Sequence, residues 1–330
     1  MWVLVLADVL LLALALSSFA YFHHVRILWG DGGGEEEPVG VIGNSSYKLT
    51  EFASRFPANT FASPGEEMKS GSVYRSEDVF LTLRTVEYTW NSYSGPKQMQ
   101  YYVYDVYVRY VENLYSSVSS RRKPFEELVA DSAKLSNAEG IAFTDGPCIA
   151  AVNDDYWGNA NHTLVAVRNG VVLRQSETIE SDLCVLYYDG TMEIYTPQTY
   201  DWATIEEKGP YQAWNFGPGL LDAEGKALNT FDPSSYDQHV IGNRNPRTAI
   251  GYYEPGHYCF VVVDGRSEDA DGATMAQLAG IMQELGCSKA YNLDGGGSTL
   301  AYYDGEMVRV VEGAESQRSL FGIVCVGEIR

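Results

Sequence analysis

Apolar residues recur at every second position along several stretches of the chain, which is the period of a half-buried β-strand. Val79, Leu81 and Leu83 form one such stretch. Two-residue turn sequences separate other apolar runs, namely Asn169-Gly170, Asp189-Gly190 and Asp304-Gly305. Pairs of this type favour tight β-hairpins, because both residues tolerate a positive φ. The pattern therefore predicts antiparallel strands joined by hairpins from residue 73 onward.

Two helices are predicted among these strands. Pro124 suits the first position of a helix, and Phe125 and Leu128 would then share one face. Thr274 and Gln277 form a capping box ahead of a second apolar stripe. Many strands with few helices predict an α+β fold, with β-rich mixed or antiparallel sheets and a few packed helices.

The N-terminus has a different pattern, because residues 2–22 are almost continuously apolar. About 20 apolar residues suffice to span a bilayer as a helix. We therefore expect a transmembrane anchor or signal segment at 1–29, a flexible acidic and glycine-rich linker at 30–72 and a catalytic domain at 73–330. An uncleaved segment would make the protein extracytoplasmic and anchored by a single pass, whereas cleavage would make it secreted.

Charge and cysteine content exclude several classes of protein. The chain carries 23 basic and 44 acidic residues, a net charge of −21, and no cluster of Lys and Arg of the kind that binds nucleic acid. Its five cysteines have no CxxC spacing, which argues against a zinc site and against a disulfide scaffold. Nothing in the sequence fixes an oligomeric state.

Four loops follow or precede apolar runs and place polar groups at strand ends. Their sequences are NDDYWG from Asn153, NPRTAIG with Arg247, VVVDGR with Asp264 and Arg266, and NLDGGGST with Asn292, Asp294, Gly295, Gly296, Gly297 and Ser298. Three consecutive glycines suit a backbone that takes unusual angles or approaches a ligand closely. Neither the Walker motif nor the dinucleotide fingerprint is present, because no Gly-Lys-Ser/Thr and no GxGxxG occurs there.

The order of these loops resembles the phosphodiester glycosidase family, the family of the N-acetylglucosamine-1-phosphodiester α-N-acetylglucosaminidase domain. NLDGGGST carries the specific part of the resemblance, and PRTAIG and VVDGR precede it in the family's order. The likeness covers residues 74–330. One departure concerns the first loop, where many relatives have Asn-Gly-Gly-Phe-Phe and this chain has Asn153-Asp154-Asp155-Tyr156-Trp157.

The resemblance implies a hydrolase that cleaves the glycosidic bond of a sugar-1-phosphodiester or of a related cell-envelope glycan. Asp294 and Asp264 would supply the catalytic carboxylates. Arg247 and Arg266 would bind the phosphate. The sugar would be oriented by the remaining polar groups, those of Asn153, Asn292, Gly295, Gly296, Gly297 and Ser298.

This chemistry requires no cofactor. The two additional carboxylates of the first loop, Asp154 and Asp155, nevertheless predict an oxygen-rich site for a divalent cation such as Ca²⁺. Two alternatives to the enzyme stay open: a non-catalytic, membrane-anchored protein that binds glycans, and an assembly protein of the cell envelope.

Overall fold

The computed structural model describes residues 41–42, 50–92, 95–137, 142–144, 146–159, 163–267, 270–309 and 317–329. The predicted membrane segment at residues 2–22 lies outside these ranges. Within them, no helix combines the length and the apolar character that crossing a bilayer requires.

Strands make up most of the described chain. In chain order they are β1 (Val41–Ile42), β2 (Met68–Ser70), β3 (Val73–Arg75), β4 (Val79–Ser92), β5 (Gly95–Val108), β6 (Leu114–Lys123), β7 (Ser136–Asn137), β8 (Ala150–Asn153), β9 (Ala166–Arg168), β10 (Val171–Arg174), β11 (Leu183–Tyr187), β12 (Met192–Tyr195), β13 (Pro210–Asn215), β14 (Arg247–Glu254), β15 (His257–Val263), β16 (Lys289–Asn292), β17 (Ala301–Tyr303), β18 (Glu306–Arg309) and β19 (Leu320–Val326). The α-helices are α1 (Phe125–Ser132), α2 (Trp202–Lys208), α3 (Gln238–Gly242) and α4 (Met275–Glu284). Short 3₁₀ turns occupy Ala53–Arg55, Val111–Asn113 and Gly296–Ser298.

Three antiparallel sheets organise these strands. Sheet I has seven strands in the order β16-β14-β15-β5-β4-β3-β2, sheet II has the order β18-β17-β8-β19-β6, and sheet III has the order β10-β9-β13-β11-β12. A short parallel pair joins β1 to β7. This architecture confirms the predicted β-rich α+β fold.

The three sheets share one central core. Alternate side chains of each sheet point inward, among them Val106 and Phe260 of sheet I, Val152 of sheet II and Leu186 of sheet III. Because successive side chains of a strand point to opposite faces, each sheet also has an apolar outer face. Burial on both faces explains why several strands are apolar throughout.

One helix covers the outer face of each sheet. Helix α4 packs Leu278 and Met282 in one cluster with Val261 of sheet I. Helix α1 covers sheet II in the same way, and α2 covers sheet III. Each amphipathic helix therefore buries a sheet face that would otherwise be exposed to water.

The predicted local elements are confirmed. Asn169 and Gly170 have φ values of 51° and 77°, and Asp304 and Gly305 have values of 46° and 96°, as a two-residue hairpin turn requires. Asp189 and Gly190 also lie in the turn between β11 and β12, but this turn is longer than two residues, because β11 ends at Tyr187 and β12 begins at Met192. The capping box of α4 forms in both directions, because Gln277 N–H donates to Thr274 Oγ1 (3.2 Å) and Thr274 N–H donates to Gln277 Oε1 (3.0 Å).

The predicted end of the linker at residue 72 is wrong. Strand β2 belongs to sheet I, and the Phe52 side chain is only 1% exposed within the central core. A hydrogen bond from Phe52 N–H to the Arg109 carbonyl (2.8 Å) fixes this segment. The folded domain therefore includes residues 50–72, whose apolar positions are too few to show a period in the sequence.

The core also contains a carboxyl group, that of Glu112, which is 5% exposed. Its Oε2 atom has no hydrogen-bond partner within the described residues. Burial raises the pKa of Glu112 to about 7 from its ordinary value of 4.5. The folded protein therefore binds this proton more tightly than the unfolded chain, and folding stability falls as pH rises between these two values.

We predict that the substitution Glu112→Gln removes this loss of folding stability at higher pH. At about pH 8 the variant should exceed the parent in the free energy of unfolding by roughly 2–3 kcal/mol, and at about pH 4 the two should be similar. Urea unfolding at both pH values measures the difference. Exposed Glu66→Gln is the control and should leave the pH dependence of the parent unchanged; equal pH dependence in Glu112→Gln and the parent would contradict the prediction.

Candidate active site

A cleft of about 490 Å³ opens where strand ends meet at one edge of sheet I. The register pairs Arg247 with Val263 and Ala249 with Asn292, so β14 begins where β15 and β16 end. Antiparallel pairing therefore brings the second, third and fourth predicted loops to the same edge. Six of the predicted residues line the cleft: Arg247, Arg266, Asn292, Asp294, Gly295 and Gly296.

The Asp294 carboxyl group is half-buried in the wall of this cleft. Its Oδ1 atom accepts a hydrogen bond from Gly295 N–H (2.7 Å). Burial raises the pKa of Asp294, whereas hydrogen bonds from Ser298 and Gly295 and the positive charges of Arg318 and Arg122 oppose that rise. The structure thus provides one partly desolvated carboxyl group near several cations.

The three glycines after Asp294 are needed for close packing and for backbone angles. A Cβ atom on Gly295 would lie 2.9 Å from the Pro246 carbonyl oxygen, and Gly296 has a φ of +62°, which favours glycine. Their amides do not serve the role predicted for them. Gly295 N–H donates to Asp294 and Gly296 N–H donates to the Pro246 carbonyl (2.9 Å), so both are used within the loop. Gly297 and Ser298 are buried and lie outside the cleft lining.

Two exposed arginines stand at the cleft beside this loop. Arg266 has a positive φ of 62°, and its Nη2 donates to Asn245 Oδ1 (2.9 Å). Arg318 passes close to Gly297, since its Nε would lie 3.0 Å from a Cβ atom placed there. Both side chains line the cleft together with Asp294. The arrangement suits an anionic group held next to the Asp294 carboxyl group.

Arg247 has a different role from the predicted phosphate clamp. Its Nε donates to the Ala273 carbonyl (3.1 Å), and its Nη2 donates to the carbonyls of Val240 (2.7 Å) and Asn243 (3.0 Å). Burial lowers the pKa of Arg247 to about 10, and the neighbouring Arg266 charge adds to that effect. Arg247 therefore supports the wall of the cleft, because its buried donors are directed at backbone carbonyls.

Asp264 does not share the cleft with Asp294. Its Oδ1 accepts a hydrogen bond from Arg309 Nε at 3.0 Å, and the side chain lies outside the cleft lining. Arg309 Nη1 in turn donates to the Thr299 carbonyl. Asp264 orients a buried arginine that holds the end of the glycine loop.

Asn153 does not line the cleft, and its side chain binds other parts of the protein. Its Nδ2 donates to the Asp294 carbonyl (2.7 Å) and to the Asp154 carbonyl (3.2 Å). Its Oδ1 accepts from Thr248 Oγ1 (2.6 Å) and from Leu300 N–H (3.2 Å). All four bonds are made to protein groups, so the predicted contact between Asn153 and a sugar is replaced by support of the Asp294 backbone.

Asp154 and Asp155 do not form the predicted cation site, because a buried arginine occupies their acceptors. Arg168 Nη2 lies 2.5 Å from Asp155 Oδ1 and 3.4 Å from Asp154 Oδ2, with all three side chains at most 2% exposed. Asp155 also accepts from the backbone N–H groups of Trp157 (3.0 Å) and Asn215 (2.9 Å). Burial raises the pKa of both carboxyl groups, and Arg168 opposes that rise.

Asn292 is the one predicted amide that both lines the cleft and keeps an acceptor without a partner. Its side chain is 2% exposed, and its Nδ2 donates to the Gly217 carbonyl (2.7 Å). Within the described part of the chain, Oδ1 has no hydrogen-bond partner. A buried acceptor without a partner is costly to the folded protein.

Several cleft residues were missed in the sequence. They include Tyr156, Glu180, Phe216, Tyr236, Asp237 and Arg318. Phe216 belongs to the glycine–proline segment NFGPG, and Tyr156 belongs to the first loop, so both had a local signal. Arg318 had none, because it belongs to no recognised motif, although the apolar strand β19 begins two residues later. Arg168 could have been found as an arginine within the apolar run LVAVR.

Two comparisons of the sequence with known proteins give matches. Residues 146–326 match the model of the phosphodiester glycosidase family. The uncharacterised SPβ prophage-derived protein YomE of Bacillus subtilis (strain 168) is 27% identical over 164 residues, which cover 48% of this chain and 25% of that protein. The chain thus matches about a quarter of the length of this curated relative.

Two solved structures are similar to this chain to different degrees. The zebrafish N-acetylglucosamine-1-phosphodiester α-N-acetylglucosaminidase catalytic domain, auto-inhibited by its pro-peptide, superimposes with a TM-score of 0.58 at 19% identity, covering 75% of this chain and 83% of that chain. A hypothetical protein from Synechocystis gives a TM-score of 0.44 at 15% identity over 76% of this chain and 62% of that one. The zebrafish match shows that the fold is shared.

The buried ion pairs of Arg168 with Asp154 and Asp155 lead to a prediction about stability. We expect Arg168→Leu to lower the free energy of unfolding by about 3–5 kcal/mol at neutral pH, because two buried carboxylates lose their cation. Their pKa values would rise further above those of the unfolded chain, so acidification should reduce the loss.

Urea unfolding at about pH 5 and about pH 8 tests this prediction, since the loss should be smaller at the lower pH. Arg84→Leu, at an exposed position of β4, is the matched control and should cost little at either pH. A loss in Arg168→Leu that does not change with pH would contradict the proposed origin of the destabilisation.

Proposed function

The chain belongs to the phosphodiester glycosidase family, and we propose that it hydrolyses the glycosidic bond of a sugar-1-phosphodiester or of a related cell-envelope glycan. Family membership makes it a glycosidase-type hydrolase. The proposal for the substrate rests on one observation: the half-buried Asp294 carboxyl group shares its cleft with the guanidinium groups of Arg266 and Arg318.

Asp294 supplies the carboxylate next to the anomeric carbon. Glycoside hydrolysis passes through an oxocarbenium-like transition state, which a carboxylate stabilises as nucleophile, base or counter-charge. The phosphate monoester that leaves when a sugar-1-phosphodiester is cleaved is a good leaving group, so it needs less protonation than an ordinary alcohol. Of the other carboxylates, Glu180 and Asp237 line the cleft and are better placed than Asp264 to take the role of the second one.

Arg266 and Arg318 bind the phosphate. Guanidinium groups form paired, charge-assisted hydrogen bonds with phosphate oxygens, and charge that develops on the leaving phosphate is stabilised there. Asn292 lines the same cleft and orients the sugar. Tyr156 and Phe216 offer aromatic faces in the same cleft for the sugar ring.

The protein acts outside the cytoplasm, anchored by a single pass, with no cofactor. Support for this location comes from the apolar stretch at residues 2–22 and the acidic, glycine-rich stretch that follows it. The polymeric glycans of a cell envelope would be within reach of a tethered enzyme.

The first test is hydrolysis by the full chain in detergent, measured as sugar released from a panel of sugar-1-phosphate diesters and nitrophenyl glycosides. Asp294→Asn should lower turnover roughly a thousandfold or more, because the reacting carboxylate is removed. The matched control is Asp304→Asn, which changes another Asp-Gly sequence in an exposed hairpin turn. Parent-like turnover by Asp294→Asn would contradict the assignment, and glycan binding without turnover by the parent would indicate a binding protein.

A second prediction concerns the phosphate. Arg266→Ala and Arg318→Ala should each raise KM for a sugar-1-phosphodiester by about tenfold or more, since each removes a charge-assisted contact. A neutral nitrophenyl glycoside should be affected much less. Arg84→Ala is the control, as an exposed arginine of β4. Equal losses on charged and neutral substrates would show that these arginines do not recognise phosphate.

A further inference from the structure

Two cysteine thiols meet on the face of sheet I that helix α4 covers. Cys259 lies in β15, and Cys287 follows α4 just before β16. Their Sγ atoms are 3.6 Å apart, and both residues are buried. Both belong to the apolar cluster formed by α4 and the sheet, so this contact is separate from the lining of the cleft.

The strand between them carries a glycine at the point of contact. Gly251 of β14 pairs with Cys259 on one side and with Ala290 on the other. A Cβ atom on Gly251 would lie 2.6 Å from each of the two sulfur atoms. The two thiols therefore fill the space that an ordinary side chain would take, and the strand between them does not hold them apart.

The two sulfur atoms need only a small movement to reach the distance of a covalent bond. A disulfide has a sulfur–sulfur distance of about 2.05 Å, so the two atoms need to approach by roughly 1.5 Å in total. Small rotations about the two Cα–Cβ bonds supply movements of this size. The hydrogen bond between the thiols also lowers the pKa of Cys287 while that of Cys259 is raised, which favours Cys287 as the thiolate.

We propose that Cys259 and Cys287 form a disulfide when the chain folds in an oxidising environment. The Cys287 thiolate attacks a small disulfide such as oxidised glutathione and releases one glutathione thiolate. The Cys259 thiolate then displaces the second glutathione and closes the protein bond. Two S–H bonds of the protein are lost, and their two electrons and two protons appear in two molecules of reduced glutathione.

This bond would cross-link the end of α4 to β15 across β14. The closed loop, from Cys259 to Cys287, contains Asp264, Arg266 and all of α4. A cross-link of this length stabilises the folded state mainly by restricting the unfolded chain. It would hold together the strands that deliver Arg266 and Asp294 to the cleft.

Peptide mapping tests the proposal directly. The full chain is refolded in detergent with a mixture of reduced and oxidised glutathione, alkylated under denaturing conditions and digested with trypsin without reduction. Cleavage after Arg247, Arg266 and Lys289 places the two cysteines in adjacent peptides, 248–266 and 267–289. Mass spectrometry should find these peptides cross-linked, whereas Cys184, on peptide 175–208, should be alkylated.

Thermal unfolding provides a second measurement. Adding a phosphine reductant should lower the Tm of the oxidised parent by roughly 5 °C or more, as the loss of a loop-closing disulfide predicts. Cys259→Ala and Cys287→Ala should show no effect of the reductant, whereas Cys184→Ala should behave like the parent. Complete alkylation of Cys259 and Cys287 in the refolded parent would overturn the proposal, as would cross-linking of either to a different cysteine.

Discussion

The geometry of the cleft depends on the hydrogen bonds that the Asn153 side chain makes. It projects from the end of β8 in sheet II and donates to the Asp294 carbonyl, while its own carbonyl accepts from Thr248 of sheet I and from Leu300 N–H. One amide thereby fixes the glycine loop against two sheets. Because it is buried and all of its bonds go to protein groups, its removal would leave several polar groups unpaired.

A buried cluster of charges extends this support to the third sheet. Arg168, at the end of β9 in sheet III, contacts the carboxylates of Asp154 and Asp155, which follow β8 of sheet II. Asp155 also accepts from Asn215 N–H at the end of β13. Strand ends from all three sheets thus meet behind the cleft, and polar groups that look catalytic in the sequence serve to hold them together. Arg266 and Arg318, whose side chains are exposed, line the cleft itself.

The parts of this structure that could be predicted are those that local sequence determines. Asn169-Gly170 forms a hairpin and Thr274 caps a helix because turn geometry and capping need only neighbouring residues. The placement of Asp294 and Asn292 in the cleft also followed from a specific local motif. By contrast, the partners of Asp264 and Asp155 are arginines 45 and 13 residues away in the chain. Whether such a carboxylate reacts with substrate or pairs with a cation depends on tertiary packing, which single-sequence patterns do not contain.

The most direct test of the central role of Asn153 is the turnover of Asn153→Asp on a sugar-1-phosphodiester, with the free energy of unfolding measured in parallel. The substitution keeps the size of the side chain and its acceptor for Thr248 and Leu300, but it removes the donors to the Asp294 and Asp154 carbonyls. We expect kcat to fall by about tenfold or more at nearly unchanged KM in a protein that still unfolds cooperatively, because Asp294 is no longer held in place. Parent-like kcat in a folded Asn153→Asp protein would contradict the account.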